Sequence, residues 1–257
     1  MSDSITIARE PQVVYLLRLA DTCLIHAQRL GEWCGHGPIL EEDIALTNMA
    51  LDLIGAARGL YTHIGTLAGM AYDEDQLAML RRERDYFNLA LVELPKGDYA
   101  FTVLRNLLLA TFLRLLWERL LASTDSEVAG IAGKAVKEAR YHQQHNSEWV
   151  VRLGDGTDES HRRMVDALAE LWRYIPEVFE SDEVDQVAAA SGLGPAWAEL
   201  EAPWTAEVTA VLAEATLAVP EPSPYRSTGK FGRHSEHLGY ILSELQYLQR
   251  TYPGGTW

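Results

Sequence analysis

The segment Lys137-Glu138-Ala139-Arg140-Tyr141-His142-Gln143-Gln144-His145 nearly spells a metal site. Di-iron carboxylate bundles draw a carboxylate and an imidazole from each of two helices through the spacing Glu-x-x-His. At about 100° per residue, that spacing sets both ligands on one helical face. Here Tyr141 stands where the imidazole would be, and no Glu in the chain has His three positions later.

Helix turns locate the other positions of such a site. Two antiparallel helices joined by a tight turn mirror each other about its centre. With a turn near Thr124, Glu138 faces Ala110. A second pair of helices turns near His36 and Gly37. Its closest approach to the ligand pair is Asp52-Leu53-Ile54-Gly55, with glycine in the imidazole position, and the mirror of Asp52 falls near Cys23. The six positions therefore hold Cys23, Asp52, Gly55, Ala110, Glu138 and Tyr141. A di-iron site needs four carboxylates and two imidazoles, and this set offers two carboxylates and no imidazole. The chain itself is expected to hold no metal and to carry no catalytic or cofactor-binding residue.

Two further readings of the same residues stand beside this one. Glu138 and Asp52 could belong to a structural polar layer, paired with Arg58, Arg140 or the Tyr141 hydroxyl, because an isolated buried carboxylate is costly. Alternatively Glu138, His142 and His145, within two turns of one helix, could form a displaced metal site completed by Asp52. His234 and His237 have similar spacing but open a helix beside a loop, where a surface or interface role is expected. Lys96, Lys230 and Arg233 could reach a phosphate or form surface pairs. Trp117, Trp149, Trp172, Trp197 and Trp204 fall at helical positions and are expected in the core or at an interface. No Gly-x-Ser-x-Gly elbow, Gly-x-Gly-x-x-Gly loop, Walker loop or Cys-x-x-Cys pair occurs.

The elements that must position these residues are helices. Leu and Ala are prominent and β-branched residues sparse. Pro11 opens a first helix that ends at Gly35-His36-Gly37-Pro38. Glu41, Glu42 and Asp43 start a second, with Ala50, Leu53, Ile54, Ala57, Leu60 and Ile64 as its buried stripe. Gly55 and Gly59 would allow close approach. A shorter helix is expected over about 74–92, ended by Pro95-Lys96-Gly97. Asp98 caps a long helix to about 122, and another runs over about 126–153. Thr157 or Asp158 caps a fifth that Pro176 bends, and helices follow near 182–190 and 195–218. Residues 219–234 form a Pro/Gly-rich loop before a terminal helix over 235–251. The expected architecture is one all-α domain over 1–257, a four-helix bundle with additional C-terminal helices.

The net charge of −15 argues against a nonspecific nucleic-acid interface. Cys23 and Cys34, about 16 Å apart on one helix, cannot bridge, which fits a reducing compartment. No signal peptide or membrane-spanning run is read; the longest apolar stretch, Leu107 to Leu116, is interrupted by Arg114. The expectation is a soluble, cytoplasmic chain.

Five stretches together carry a resemblance. They are Gln28-Arg29-Leu30-Gly31-Glu32-Trp33-Cys34-Gly35-His36, Ala50-Leu51-Asp52-Leu53-Ile54-Gly55-Ala56-Ala57-Arg58, Lys137-Glu138-Ala139-Arg140-Tyr141-His142, Leu153-Gly154-Asp155-Gly156-Thr157-Asp158 and Gln246-Tyr247-Leu248-Gln249-Arg250. Over nearly its whole length the chain resembles the C subunits of bacterial phenylacetyl-CoA epoxidases, multicomponent ring oxygenases of aerobic phenylacetate breakdown. The resemblance implies a ferritin-like fold and a structural role beside a homologous catalytic A subunit that holds the di-iron centre. It further implies a reductase subunit with FAD, an iron–sulfur cluster and NADPH, and small accessory subunits. Against it stand an independent metalloenzyme using Glu138, His142 and His145, and a free-standing binding protein of the same fold.

Overall fold

The computed structural model describes residues 4–67 and 72–255, and no strand forms among them. The all-α expectation therefore holds. By contacts the chain falls into two compact units, Met1–Pro95 with Ser227–Trp257, and Lys96–Arg226.

The first unit is built on a hairpin of α1 (Pro11–Gly31) and α2 (Leu40–Thr66). Pro11 sits in the first turn of α1, where its missing N–H costs nothing. From Val13 to Ala27 every residue of α1 is buried, so it is covered on all sides. Glu41, Glu42 and Asp43 fill the first turn of α2. The Gly37 amide donates to Asp43 at 2.9 Å. Hydrogen bonds from the Gly37 and Gly35 amides hold the Asp43 carboxyl below its ordinary pKa. The expected stripe of α2 is buried except at Ile54, which is 37% exposed. Leu46, Met49 and Tyr61 complete the buried face instead.

The helix expected over 74–92 is mostly absent. A capping box at Asp73 starts α3 (Glu74–Met79), and only 3-10 turns at Glu83–Asp85 and Ala90–Val92 follow. The reason is competition for backbone donors. The Phe87 amide donates to Asp21 at 2.8 Å and the Leu89 amide to Thr22 at 3.1 Å, so side chains of α1 take amides that a helix would need. The expected terminal helix is two, α10 (Glu236–Leu245) and α11 (Tyr247–Thr251), parted at Gln246. Gln246 is buried and donates to the Arg81 carbonyl at 3.1 Å and the Tyr86 hydroxyl at 2.9 Å.

The second unit is built on the hairpin of α4 (Tyr99–Leu120) and α5 (Ser126–Gly154). Asp98 caps α4 and Asp125 caps α5. Tyr99 and Trp149 stand equally far from Thr124 and meet edge to face at 5.2 Å. Thr157 caps α6 (Asp158–Trp172). At Pro176 the chain does not bend one helix but opens a new one, α7 (Ile175–Phe179). α8 (Glu183–Ser191), a 3-10 turn at Trp197–Leu200 and α9 (Glu201–Glu214) complete the unit. α6 and α9 both pack on the α4–α5 hairpin. Trp117, Trp197 and Trp204 are core residues, while Trp149 and Trp172 are half-buried. The Trp204 indole donates to the Leu108 carbonyl at 2.9 Å, which satisfies its one polar atom. By length and composition α4 could cross a membrane, with a mean hydropathy of 1.4, but 89% of that window is buried inside the protein. That is how a core helix behaves.

Candidate functional site

The six positions expected from the sequence fall three in each unit. In the first, Cys23 is buried on α1 and Asp52 and Gly55 are half-buried on α2. Burial, aided by the charge of Asp21, pushes the Cys23 thiol up to about 12. A thiol held there is a poor source of metal-binding thiolate.

In the second unit Ala110 is buried on α4 and offers no donor. Glu138 on α5 is partly buried, and Lys134, one turn earlier, pairs with it at 3.5 Å. Tyr141 is 50% exposed, its ring 6.1 Å from that of His142 and 5.7 Å from that of His145. His142 is buried and His145 half-buried. Among the described residues no three His, Cys, Asp or Glu side chains gather as a metal-binding group. The displaced site of Glu138, His142 and His145 therefore does not assemble, because one helix carries the three groups to different depths. The donor set does not fit a di-iron centre, and no chemistry is derived through one.

Two of the partners expected for Glu138 and Asp52 also bind other carboxylates. Arg58 pairs with Glu74 at 3.2 Å and Arg140 with Glu118 at 2.9 Å. Arg114 joins this second cluster, bonding Gln143 at 2.6 Å and Glu207 through both carboxylate oxygens. The network ties α4, α5 and α9 together rather than presenting a site.

Sequence reasoning missed two buried networks in the first unit. In one, Asp21 and Arg81 pair with both side chains at 0% exposure. Tyr61 donates to Asp21 at 2.6 Å, and Arg81 lies 4.1 Å from the Tyr86 ring centroid. Burial pushes the Tyr86 phenol up to about 12 and the Tyr61 phenol well above its ordinary value. The available signal was an acid at 21 inside an otherwise apolar run on α1.

The second network is centred on Glu93. Its Oε1 accepts from Asn88 at 2.8 Å and faces His234 Nδ1 at 2.7 Å. Its Oε2 accepts from the backbone and hydroxyl of Ser235 at 2.7 and 2.6 Å. His234, expected at a surface or interface, instead has a side chain only 1% exposed, because Glu93 supplies it with a charge partner. Lys230 is corrected likewise: it is buried, 5.5 Å from the Phe231 ring centroid, and not on the surface.

One face of α2 presents apolar side chains outward. Leu40 is 73% exposed and Leu51 60%, with Ile44 and Ile54 on the same side of α2. At about 100° per residue these four span roughly 80° of arc. Their three-, four- and seven-residue spacing is that of a seam made for another helix.

Two comparisons bear on this arrangement. A family model described as phenylacetic acid catabolic protein matches residues 1–257. The C subunit of the 1,2-phenylacetyl-CoA epoxidase of Escherichia coli (strain K12) is 48% identical over 243 residues, 95% of this chain and 98% of that relative. With two long helical hairpins and a match along its full length, the chain belongs to the phenylacetic acid catabolic protein family, whose fold is all-α and ferritin-like.

Proposed function

We propose that this chain is the structural, non-catalytic subunit of a cytoplasmic phenylacetyl-CoA epoxidase, pairing with a homologous catalytic A subunit. In this reading the A subunit holds the di-iron centre. A reductase with FAD, an iron–sulfur cluster and NADPH supplies electrons, and small accessory subunits complete the complex. The observation that carries the proposal is the donor set of the two hairpins. Ala110, Gly55 and Tyr141 stand where an iron site is expected to need carboxylate or imidazole, and Lys134 pairs with Glu138. The close likeness to the C subunit of an epoxidase supports the assignment of substrate and partner.

A physical reason for such a subunit follows. A bundle that opens its core to iron, oxygen and a bulky acyl-CoA loses packing, and a paralogous bundle with a filled core can brace it. Obligate interfaces of that kind bury about 2,000 Å² or more and are rich in apolar side chains. The stripe of Leu40, Ile44, Leu51 and Ile54 is suited to the centre of one.

Co-expression with the A subunit, affinity capture and metal analysis test the proposal. The two chains are expected to co-purify, with iron following the A subunit. Stoichiometric iron, about two per chain, in this chain purified alone would overturn the non-catalytic assignment, and failure of the chains to associate would overturn the pairing.

A further inference from the structure

The first unit carries an open cleft of about 530 Å³ between α10–α11 and the turn that follows α3, lined among others by Ser4, Arg82, Glu83, Tyr247, Arg250 and Thr251. That volume lies within the range of about 300–1,000 Å³ typical of small-molecule sites. Its charge is at odds with the rest of the chain. Acidic residues outnumber basic ones by 15, and arginines such as Arg58, Arg114, Arg119, Arg140 and Arg163 find carboxylates. The two available cations of the cleft do not. Arg250 is fixed by three neutral acceptors, Gln246 Oε1 at 2.7 Å, Ser4 Oγ at 3.2 Å and the Arg81 carbonyl at 2.9 Å. A guanidinium has five N–H donors, so this one is held in place with donors and charge unspent. Arg82 is exposed, and its side chain makes no hydrogen bond or ion pair among the described residues. Arg81 contributes no free charge, since Asp21 takes its guanidinium. Glu83 is the one carboxylate among the lining residues.

We propose that this cleft binds a phosphorylated small molecule of nucleotide size, its phosphate on Arg82 and Arg250 and its ring against Tyr247. Forked guanidinium donors match phosphate oxygens two at a time. The Ser4 and Thr251 hydroxyls add neutral donors. Tyr247 is 58% exposed and presents a face on which a planar ring can stack. The proposal is independent of the pairing with a catalytic subunit.

Calorimetric titration of the full chain with ADP, inorganic phosphate and adenosine tests it. ADP is expected to bind saturably, phosphate more weakly and adenosine not at all. Arg82→Gln, a surface change that leaves the fold intact, is expected to weaken ADP binding about tenfold or more, as loss of a charged hydrogen bond implies. Arg250→Gln is expected to do the same with an unchanged unfolding midpoint. The proposal is overturned if ADP shows no saturable binding up to about 10 mM, or if Arg82→Gln binds it as tightly as the parent chain. Equal affinity for phosphate and ADP would overturn the nucleotide-sized ligand.

Discussion

His234 and Glu93, 141 residues apart, form a buried pair that favours the doubly protonated imidazole. Nε2 faces the Tyr86 carbonyl at 2.9 Å, an acceptor only, so it bears hydrogen. Nδ1 faces a carboxylate oxygen already accepting from Asn88, so against ionised Glu93 it bears hydrogen too. His234 accordingly has a raised pKa: its burial opposes the charge, but the hydrogen bond and charge of Glu93 outweigh it.

The sign of the pH dependence follows. A raised folded value makes the contribution of His234 complete below its unfolded value near 6.5. It is lost as pH climbs through the higher folded value. Denaturant unfolding of the parent chain and of His234→Gln should therefore differ most near about pH 6 and converge on the alkaline side. A difference that stays flat across that range would show the imidazole to be neutral throughout.

Asp21→Asn should destabilise the chain by about 3–5 kcal/mol, because it leaves the Arg81 charge buried without its partner. Replacing both members, Asp21→Leu with Arg81→Met, should cost far less than the single change. Equal loss in the single and double variants, read from unfolding midpoints, would mean the pair contributes packing alone.

Two glycines of α5 should respond with opposite sign to the same substitution. A Cβ on Gly154 would lie 2.3 Å from the Ala215 carbonyl oxygen, and one on Gly130 would meet nothing within 4 Å. Gly154→Ala should cost about 1–3 kcal/mol through overpacking. Gly130→Ala should gain about 0.5–1 kcal/mol as an exposed helical glycine. Thermal midpoints of the two variants are a direct check, and a stabilised Gly154→Ala would refute the close approach of the end of α9.

Leu51→Glu on the exposed stripe of α2 should leave the chain's own unfolding midpoint within about 0.5 kcal/mol, as a surface change. It should sharply reduce co-purification with the catalytic subunit, since a buried unpaired charge at an interface costs several kcal/mol. Undiminished co-purification would place the seam elsewhere.

How much of this was legible depended on whether the cause lay near in sequence. Pro11, Asp98 and Thr157 mark helix starts through contacts within four residues, and each sits where the pattern puts it. The α4–α5 hairpin was legible because Ser123-Thr124-Asp125 marks a tight turn between two long helices. Residues 80–95 were not, because their amides answer to Asp21 and Thr22 on a distant helix. Ile54 was misplaced for a related reason: periodicity marks an apolar residue at the edge of a stripe without saying whether anything covers it. The burial of His234 needed Glu93, which no local pattern connects to it.

The interrupted course of the first unit sets a timetable for its assembly. During synthesis Lys96–Arg226 emerges as one continuous stretch in which α4, α5, α6 and α9 pack on one another. Glu93, by contrast, leaves the ribosome long before Ser227 onward exists to deliver His234 and Ser235. A buried carboxylate without its donors is costly, and contacts of such long separation form late. The inserted unit should thus be structured while the enclosing one still waits, exposed, for its last thirty or so residues. A nascent chain stalled just short of Ser227 should resist protease within 96–226 and be cut freely in α1 and α2.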